Sequence, residues 1–265
     1  GAFKMRGAVN AILCLNKEQK SKGVVTHSSG NFAQALSLAS KYLDVDAYIV
    51  MPKNAPKVKK AAVRSYGGII IESDSTITAR ETMAQKIQNE KGATFIHPSN
   101  DNQVIYGQGT AAIELLKEHD DLDYIMAPIG GGGLIAGTIL AAENYSNRCK
   151  VIGTEPAEVD DAYRSLKSGK IELNNSFNTI ADGLRTYLGS NNFPIIQQYI
   201  QEIICVDESE IIEAMKFVWE RMKIVIEPSS AVPVAALIQN KEKFKNKKIG
   251  IIISGGNVDL SQLPF

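Results

Sequence analysis

The stretch Met126-Ala127-Pro128-Ile129-Gly130-Gly131-Gly132-Gly133-Leu134-Ile135-Ala136-Gly137 decides the fold. Just upstream, residues 122–126 carry the apolar run Tyr124-Ile125-Met126 bounded by turn residues, the pattern of a short buried strand. Downstream, residues 134–143 are rich in Ala, Leu and Ile and read as a helix. Four glycines between a strand and a helix can turn their N–H groups inward as a concave nest, and the helix start adds partial positive charge. That combination suits a phosphate dianion. A plain flexible connection explains the run less well, because consecutive glycines carry an entropic cost that a mere connection has no need of. The run matches neither G-x-x-x-x-G-K-[ST] nor a good G-x-G-x-x-G pattern, so it implies a phosphate without implying a nucleotide.

Working outward, the strand-then-helix rhythm extends over the whole chain. Strands are expected at residues 24–27, 47–51, 69–72, 124–126, 150–154, 203–206 and 249–253. Helices are expected from residue 4 to about 15 and at 31–43, 56–65, 75–90, 134–143, 159–168, 208–222 and 229–239. Strands rich in β-branched residues that alternate with helices indicate an α/β fold with parallel sheets. Residues 23–100 form a self-contained run of strand–helix units, expected to be a small domain, with 1–22 and 101–265 as the larger one. A cleft between two such sheets is a common place for a small-molecule site.

Composition narrows the function classes. The formal net charge is zero, from 29 basic and 29 acidic residues, which favours neither nucleic acid nor an anionic membrane. No apolar run approaches the roughly 18 residues of a spanning helix. Cys14, Cys149 and Cys205 are scattered and odd in number, as expected of reduced thiols in a cytosolic protein. His27, His97 and His119 are too dispersed along the chain to suggest a metal cluster. The opening Gly1-Ala2-Phe3-Lys4 has no Met and is already dense in motif-like residues, so an N-terminal segment is expected to be missing.

Several residues stand out for their chemistry. Lys4 sits near the start of a helix, where the dipole disfavours an ammonium; a lysine with a depressed pKa is a nucleophile. His27-Ser28-Ser29-Gly30-Asn31-Phe32-Ala33-Gln34 follows a strand and opens a helix, so its donors could receive a carboxylate. Arg80, beside Glu81, reads on its own as part of a solvated helix face. Asn100, in the turn His97-Pro98-Ser99-Asn100, could reach a cleft. Glu155, Asp160 and Asp161 gather carboxylates at a strand end, which suits a hard divalent cation or a solvated acidic loop. Ala181-Asp182-Gly183-Leu184 is a small polar loop without an evident purpose. Ser254-Gly255-Gly256-Asn257 repeats the strand-then-glycine theme and places the Ser254 hydroxyl at a strand's carboxyl end.

Taken together and in this order, A-F-K-M-R-G-A around Lys4, S-S-G-N, the four glycines and the terminal S-G-G-N resemble the fold-type II pyridoxal-phosphate enzymes. Within that group T-H-S-S-G-N at Thr26–Asn31, A-Y-I-V-M-P at Ala47–Pro52, G-Q-G-T at Gly107–Thr110, W-E-R-M-K at Trp219–Lys223, I-E-P at Ile226–Pro228 and S-G-G-N-V-D at Ser254–Asp259 are similar to the eukaryotic serine-racemase family. The similarity covers essentially the whole chain. It implies two open parallel-sheet domains with the active site in the cleft between them, and racemisation of serine accompanied by β-elimination to pyruvate and ammonia. An L-serine/L-threonine dehydratase without useful racemisation, and a non-catalytic metabolite- or nucleotide-binding module, are the alternatives.

The resemblance also implies residue roles. Lys4 would hold the cofactor covalently and act on one face of the substrate Cα, with Ser29 as the acid–base group on the other. Phe3, Asn31, Gly130, Gly131, Gly132, Gly133, Gly183 and Ser254 would contact pyridoxal phosphate, Ser254 at the pyridine nitrogen. Ser28, Ser29, Asn31, Gln34, Arg80 and Asn100 would surround the substrate. Glu155, Asp161 and the Val159 carbonyl would bind Mg²⁺ or Ca²⁺. Gln34, Tyr66, Lys223 and Glu227 match positions of an activating ATP site at a subunit interface, which implies a homodimer. Phe32-Ala33 departs from the His-Gly or His-Ala of many relatives. No regulatory domain is expected after the catalytic one, an expectation that favours a racemase or a short dehydratase.

Overall fold

The structure, a computed structural model, describes all 265 residues and divides into two compact units. The smaller spans Lys4–Gly107, and the larger joins Gly1–Phe3 to Gln108–Phe265.

In the smaller unit the chain runs through α1 (Lys4–Leu13), α2 (Lys17–Lys22), β1 (Val24–His27), α3 (Asn31–Tyr42), β2 (Ala47–Pro52), α4 (Lys57–Ser65), β3 (Ile69–Ser73), α5 (Ile77–Lys91) and β4 (Thr94–Phe95). The four strands form one parallel sheet in the order β3-β2-β1-β4, with Val24 opposite both Ala47 and Thr94. Successive residues of β1 serve opposite faces. Val24 packs with Ala8, Ile12 and Leu36 of α1 and α3, and Val25 with Ala84 and Ile87 of α5. Covered on both faces, β1 and β2 read as nearly continuous apolar runs, which is why they are legible in the sequence.

In the larger unit β5 (Tyr124–Pro128), α7 (Gly133–Tyr145), β6 (Lys150–Pro156), α8 (Asp161–Ser168), α9 (Phe193–Tyr199), β7 (Glu202–Val206), α10 (Glu208–Phe217), α11 (Pro228–Gln239) and β8 (Ile249–Ile251) follow α6 (Asn102–Glu118). Its parallel sheet has the order β7-β6-β5-β8. Ile125 and Ala127 bury against α7 and α9, whereas Met126 packs with Leu237 and Phe244 on the other face. No helix is long and apolar enough to cross a membrane.

The structure departs from the sequence expectations in a few places. Residues 4–22 and 101–107 pack with the smaller unit, because α1 buries Ala8, Ala11 and Ile12 against Phe32, Ala33 and Leu36. The helix α6 was not expected, since Gly107 and Gly109 lower helix propensity. Both glycines are needed for close approach: a Cβ on Gly107 would lie 2.6 Å from the Arg6 carbonyl, and one on Gly109 2.6 Å from that of Gly137. The helix expected at 208–222 becomes α10 followed by a π-helical turn, Val218–Met222, that ends at Lys223 with φ 57°. Val159 lies in a 3₁₀ turn ahead of α8.

Candidate active site

In the smaller unit the chemistry gathers at the carboxyl ends of β1 and β4. Lys4 is the first residue of α1; its Nζ donates to the Pro98 carbonyl at 2.9 Å and stands 5.9 Å from the centre of the Phe32 ring. Phe32 is in the first turn of α3, directly after the loop Ser28-Ser29-Gly30, so Lys4 lies close to the start of that helix. Gly30 is the N-cap of α3 and provides no side-chain cap, and its N–H donates to Ser28 Oγ at 3.4 Å. Ser28, Ser29, Asn31 and Gln34 are half-buried around this helix start.

Two histidines that are far apart in sequence meet here. His27 ends β1 and His97 follows β4, its neighbour in the sheet, so their rings pack edge to face 5.7 Å apart beside Phe95. Burial pushes His97 down to about 4, with His27 and Lys4 adding to the effect. Burial also lowers His27, helped by the Arg80 guanidinium and opposed by Glu81. Arg80 therefore does not lie on a solvated face: its charge reaches His27, and its Nε is buried without a hydrogen-bond partner. The Asn100 N–H donates to His97 Nδ1 at 2.8 Å.

In the larger unit Gly130–Gly133 connect β5 to α7. Gly132 is the N-cap of α7 at φ 86°, a left-handed conformation that favours glycine, and it supplies no side-chain cap. The Asn192 amide donates to the Gly131 carbonyl at 2.6 Å and braces the loop. A Cβ on Gly130 would lie 3.1 Å from the Gly183 carbonyl. The turn Asp182–Leu184, whose purpose the sequence leaves open, thus forms a wall of the glycine loop.

Ser254 lies just past the end of β8 and is buried. The first residues of the chain pair with this segment: Ala2 bridges Gly255, and the Phe3 N–H donates to the Ser254 carbonyl at 2.9 Å. Phe3 is thereby fixed beside Ser254. Ser230, which the sequence reading missed, places its Oγ 2.9 Å from Ser254 Oγ. Glu227 is also buried there, its Oε2 accepting the Asn257 N–H at 3.1 Å. Its carboxylate faces the Ser254 loop, while Lys223 is exposed.

Glu155 and Asp161 form a buried acidic pair in the same unit. Glu155 accepts the Ala162 and Tyr163 N–H groups at 3.2 and 2.9 Å, from the first turn of α8. Asp161 accepts from the Asn174 amide at 2.8 Å and the Leu188 N–H at 3.1 Å. Burial, reinforced by Asp161, pushes Glu155 well above the usual carboxylate range, and burial raises Asp161 to about 6. Two desolvated carboxylates, of which Asp161 opposes the ionisation of Glu155, suit a hard dication, which would offset their charge.

The glycine loop likewise fits a phosphate. It ends in a left-handed glycine at the start of a 13-residue helix whose N-cap supplies no side chain, and a Cβ at Gly132 would lie 2.8 Å from that of Asn192. Beside it, Ser254 offers a buried hydroxyl and Phe3 an aromatic ring, partners suited to a planar heterocycle bearing a phosphate.

The chain is 46% identical over 265 residues to a β-hydroxyaspartate dehydratase of Paracoccus denitrificans, covering all of this chain and 84% of that protein. It is 51% identical to a serine racemase of Dictyostelium discoideum, covering 99% of this chain and 82% of the relative. The crystal structure of the Dictyostelium discoideum serine racemase superposes with a TM-score of 0.94 at 52% identity, covering 98% of this chain and 84% of that one. A family model described as pyridoxal-phosphate dependent enzyme matches residues 1–255, and the chain belongs to that family.

Proposed function

We propose that the protein is a serine racemase that also eliminates the β-hydroxyl of serine. The observation that carries the reading is the approach of the Lys4 amine to Phe32, in the first turn of the helix that Ser28-Ser29-Gly30 lead into, within one compact unit. Identity of 51% to a serine racemase across nearly the whole chain supports it.

When bound, pyridoxal phosphate supplies the electron sink that makes a Cα proton removable. Gly130 to Gly133 and Gly183 would hold its phosphate, Ser254 its ring nitrogen, and Phe3 and Asn31 its ring. Lys4 Nζ takes the proton from one face of Cα, and Ser29 Oγ delivers one to the other, which inverts the centre. Ser28, Gln34 and Asn100 orient the substrate carboxylate and hydroxyl. If the β-hydroxyl leaves as water before reprotonation, 2-aminoacrylate forms and hydrolyses to pyruvate and ammonia.

Glu155, Asp161 and the Val159 carbonyl would hold a divalent cation, Mg²⁺ or Ca²⁺, which would offset the charge of the buried pair. Gln34, Tyr66, Lys223 and Glu227 are the candidates for an ATP contact in a homodimer; of these Glu227 is buried, its carboxylate accepting the Asn257 N–H. The scattered reduced cysteines fit a cytoplasmic enzyme.

The test is incubation of the holoenzyme with L-serine, reading D-serine by chiral chromatography and pyruvate in the same samples. D-serine supports the racemase; pyruvate alone moves the protein to the dehydratases, and neither product favours a binding module. A second reading, a dehydratase of 3-hydroxyaspartate, is favoured by the buried, unpaired Nε of Arg80, which could pair with a β-carboxylate, and by the Paracoccus relative.

A further inference from the structure

The turn after β4 is closed by a side chain, and that closure determines what faces Lys4. His97 Nδ1 accepts two backbone N–H groups, from Ser99 at 3.1 Å and from Asn100 at 2.8 Å. A backbone N–H can only donate, so Nδ1 must carry a lone pair and the ring proton resides on Nε2. The ring cannot swing away easily: it packs at 89° to His27 and at 75° to Phe95. With both following N–H groups turned onto the imidazole, the carbonyl of the intervening Pro98 points to the Lys4 amine at 2.9 Å.

We propose that His97 is a positioning residue for Lys4: its neutral imidazole ties the 97–100 turn and so holds the Pro98 carbonyl where it orients the Lys4 amine. The carbonyl takes one N–H of Lys4 and thereby fixes the direction of the remaining amine valences. His97 itself touches no reacting atom. Its burial, which keeps the ring neutral well below physiological pH, is consistent with this duty. The inference rests on the reading of Lys4 as the cofactor lysine.

The experiment separates acceptor from bulk. His97→Asn keeps a side-chain oxygen that can accept the N–H two residues on, as in an Asx turn, whereas His97→Phe keeps the ring volume and loses the acceptor. Apo-protein is mixed with pyridoxal phosphate, the new Nζ–carbon bond is fixed by borohydride at timed intervals, and the labelled peptide is mapped. His97→Asn should label Lys4 within about threefold of the wild-type rate, and His97→Phe at least about tenfold more slowly, the scale of losing a hydrogen-bonded orientation. Wild-type labelling in His97→Phe, or equal impairment of both variants, would overturn the inference. If His97→Phe does not fold, His97→Ala set against His97→Asn makes the same comparison. A Lys4→Ala control distinguishes the two levels: labelling at another lysine that survives Lys4→Ala would remove the Lys4 reading itself.

Discussion

Ser230 and Ser254 share a buried hydrogen bond of 2.9 Å between their hydroxyls, and Ser230 is fully committed besides. Its Oγ accepts the Gly255 N–H at 2.7 Å and donates to the Gly255 carbonyl at 2.6 Å. A hydroxyl has one proton and two lone pairs, so the remaining contact must receive the Ser254 proton. Ser230→Ala strands the Gly255 N–H in the core and releases Ser254. A loss of about 1–3 kcal/mol is expected in urea unfolding, with weaker retention of pyridoxal phosphate in fluorescence titrations. Unchanged stability would mean that water or a backbone shift replaces the hydroxyl.

Ser29→Ala separates the two activities. Without a proton donor on the second face, D-serine formation should fall by about 10²-fold or more, the usual scale of a lost acid–base group. Pyruvate formation needs only the Lys4 face and should persist. Parallel loss of both products would count against the two-face mechanism.

The buried His97 gives stability an acid slope whose sign is fixed. Its folded value is about 4, below the ordinary 6.5, so the unfolded chain takes up the proton first as pH falls. The contribution is fully present above pH 6.5 and is lost between there and about pH 4, at about 1.4 kcal/mol per pH unit and up to about 3 kcal/mol in all. Glu155 and Asp161 tilt the opposite way, since their raised values favour protonation of the folded state. The measurement is therefore the difference between wild type and His97→Asn in denaturant midpoint at pH 7 and pH 5. Wild type should lose more than the variant; a constant difference would show that His97 does not titrate in this range.

What could be read from the chain before its structure follows from what periodicity encodes. The strands β1 and β2 are legible because both faces are buried and β-branched residues recur in them, and the loop between β5 and α7 because four consecutive glycines stand out from the strand and helix around them. Periodicity says which residues face inward and leaves open what they face. His27 and His97 meet because β4 adds to the sheet beside β1, a neighbour relation that neither stretch carries by itself. Arg80 reads as a surface residue among the polar positions of α5, yet its Nε is buried and its charge acts on His27, because α5 packs against β1. Ser230 sits next to the Ile226-Glu227-Pro228 motif, and only its place opposite Gly255 makes it a partner of Ser254.

Glu155 and Asp161 predict how the protein answers to a chelator. If the pair holds a divalent cation as proposed, removing it should leave two desolvated carboxyls that can only relieve their repulsion by taking up a proton, and should lower the melting temperature; adding Mg²⁺ or Ca²⁺ at about 100 times its Kd should restore about 2.7 kcal/mol. Asp161→Asn removes the repulsion, so the variant should melt at nearly the same temperature with and without EDTA. An EDTA-insensitive wild type would leave the pair as a structural feature of α8 alone.

Arg80 is the residue on which the proposed 3-hydroxyaspartate reading can be tested. A guanidinium whose Nε is buried and unpaired can take a carboxylate on the substrate's β-carbon, which serine lacks. A charge-assisted contact of this kind contributes about 1.5–3 kcal/mol, so Arg80→Gln should lower kcat/KM for 3-hydroxyaspartate by about ten- to hundredfold. Elimination from L-serine should change much less. A larger fall for the dicarboxylic substrate would identify Arg80 as its selector, whatever the preferred substrate of the wild type. An equal fall for both substrates would instead place Arg80 behind the shared part of the molecule, where its charge acts through His27.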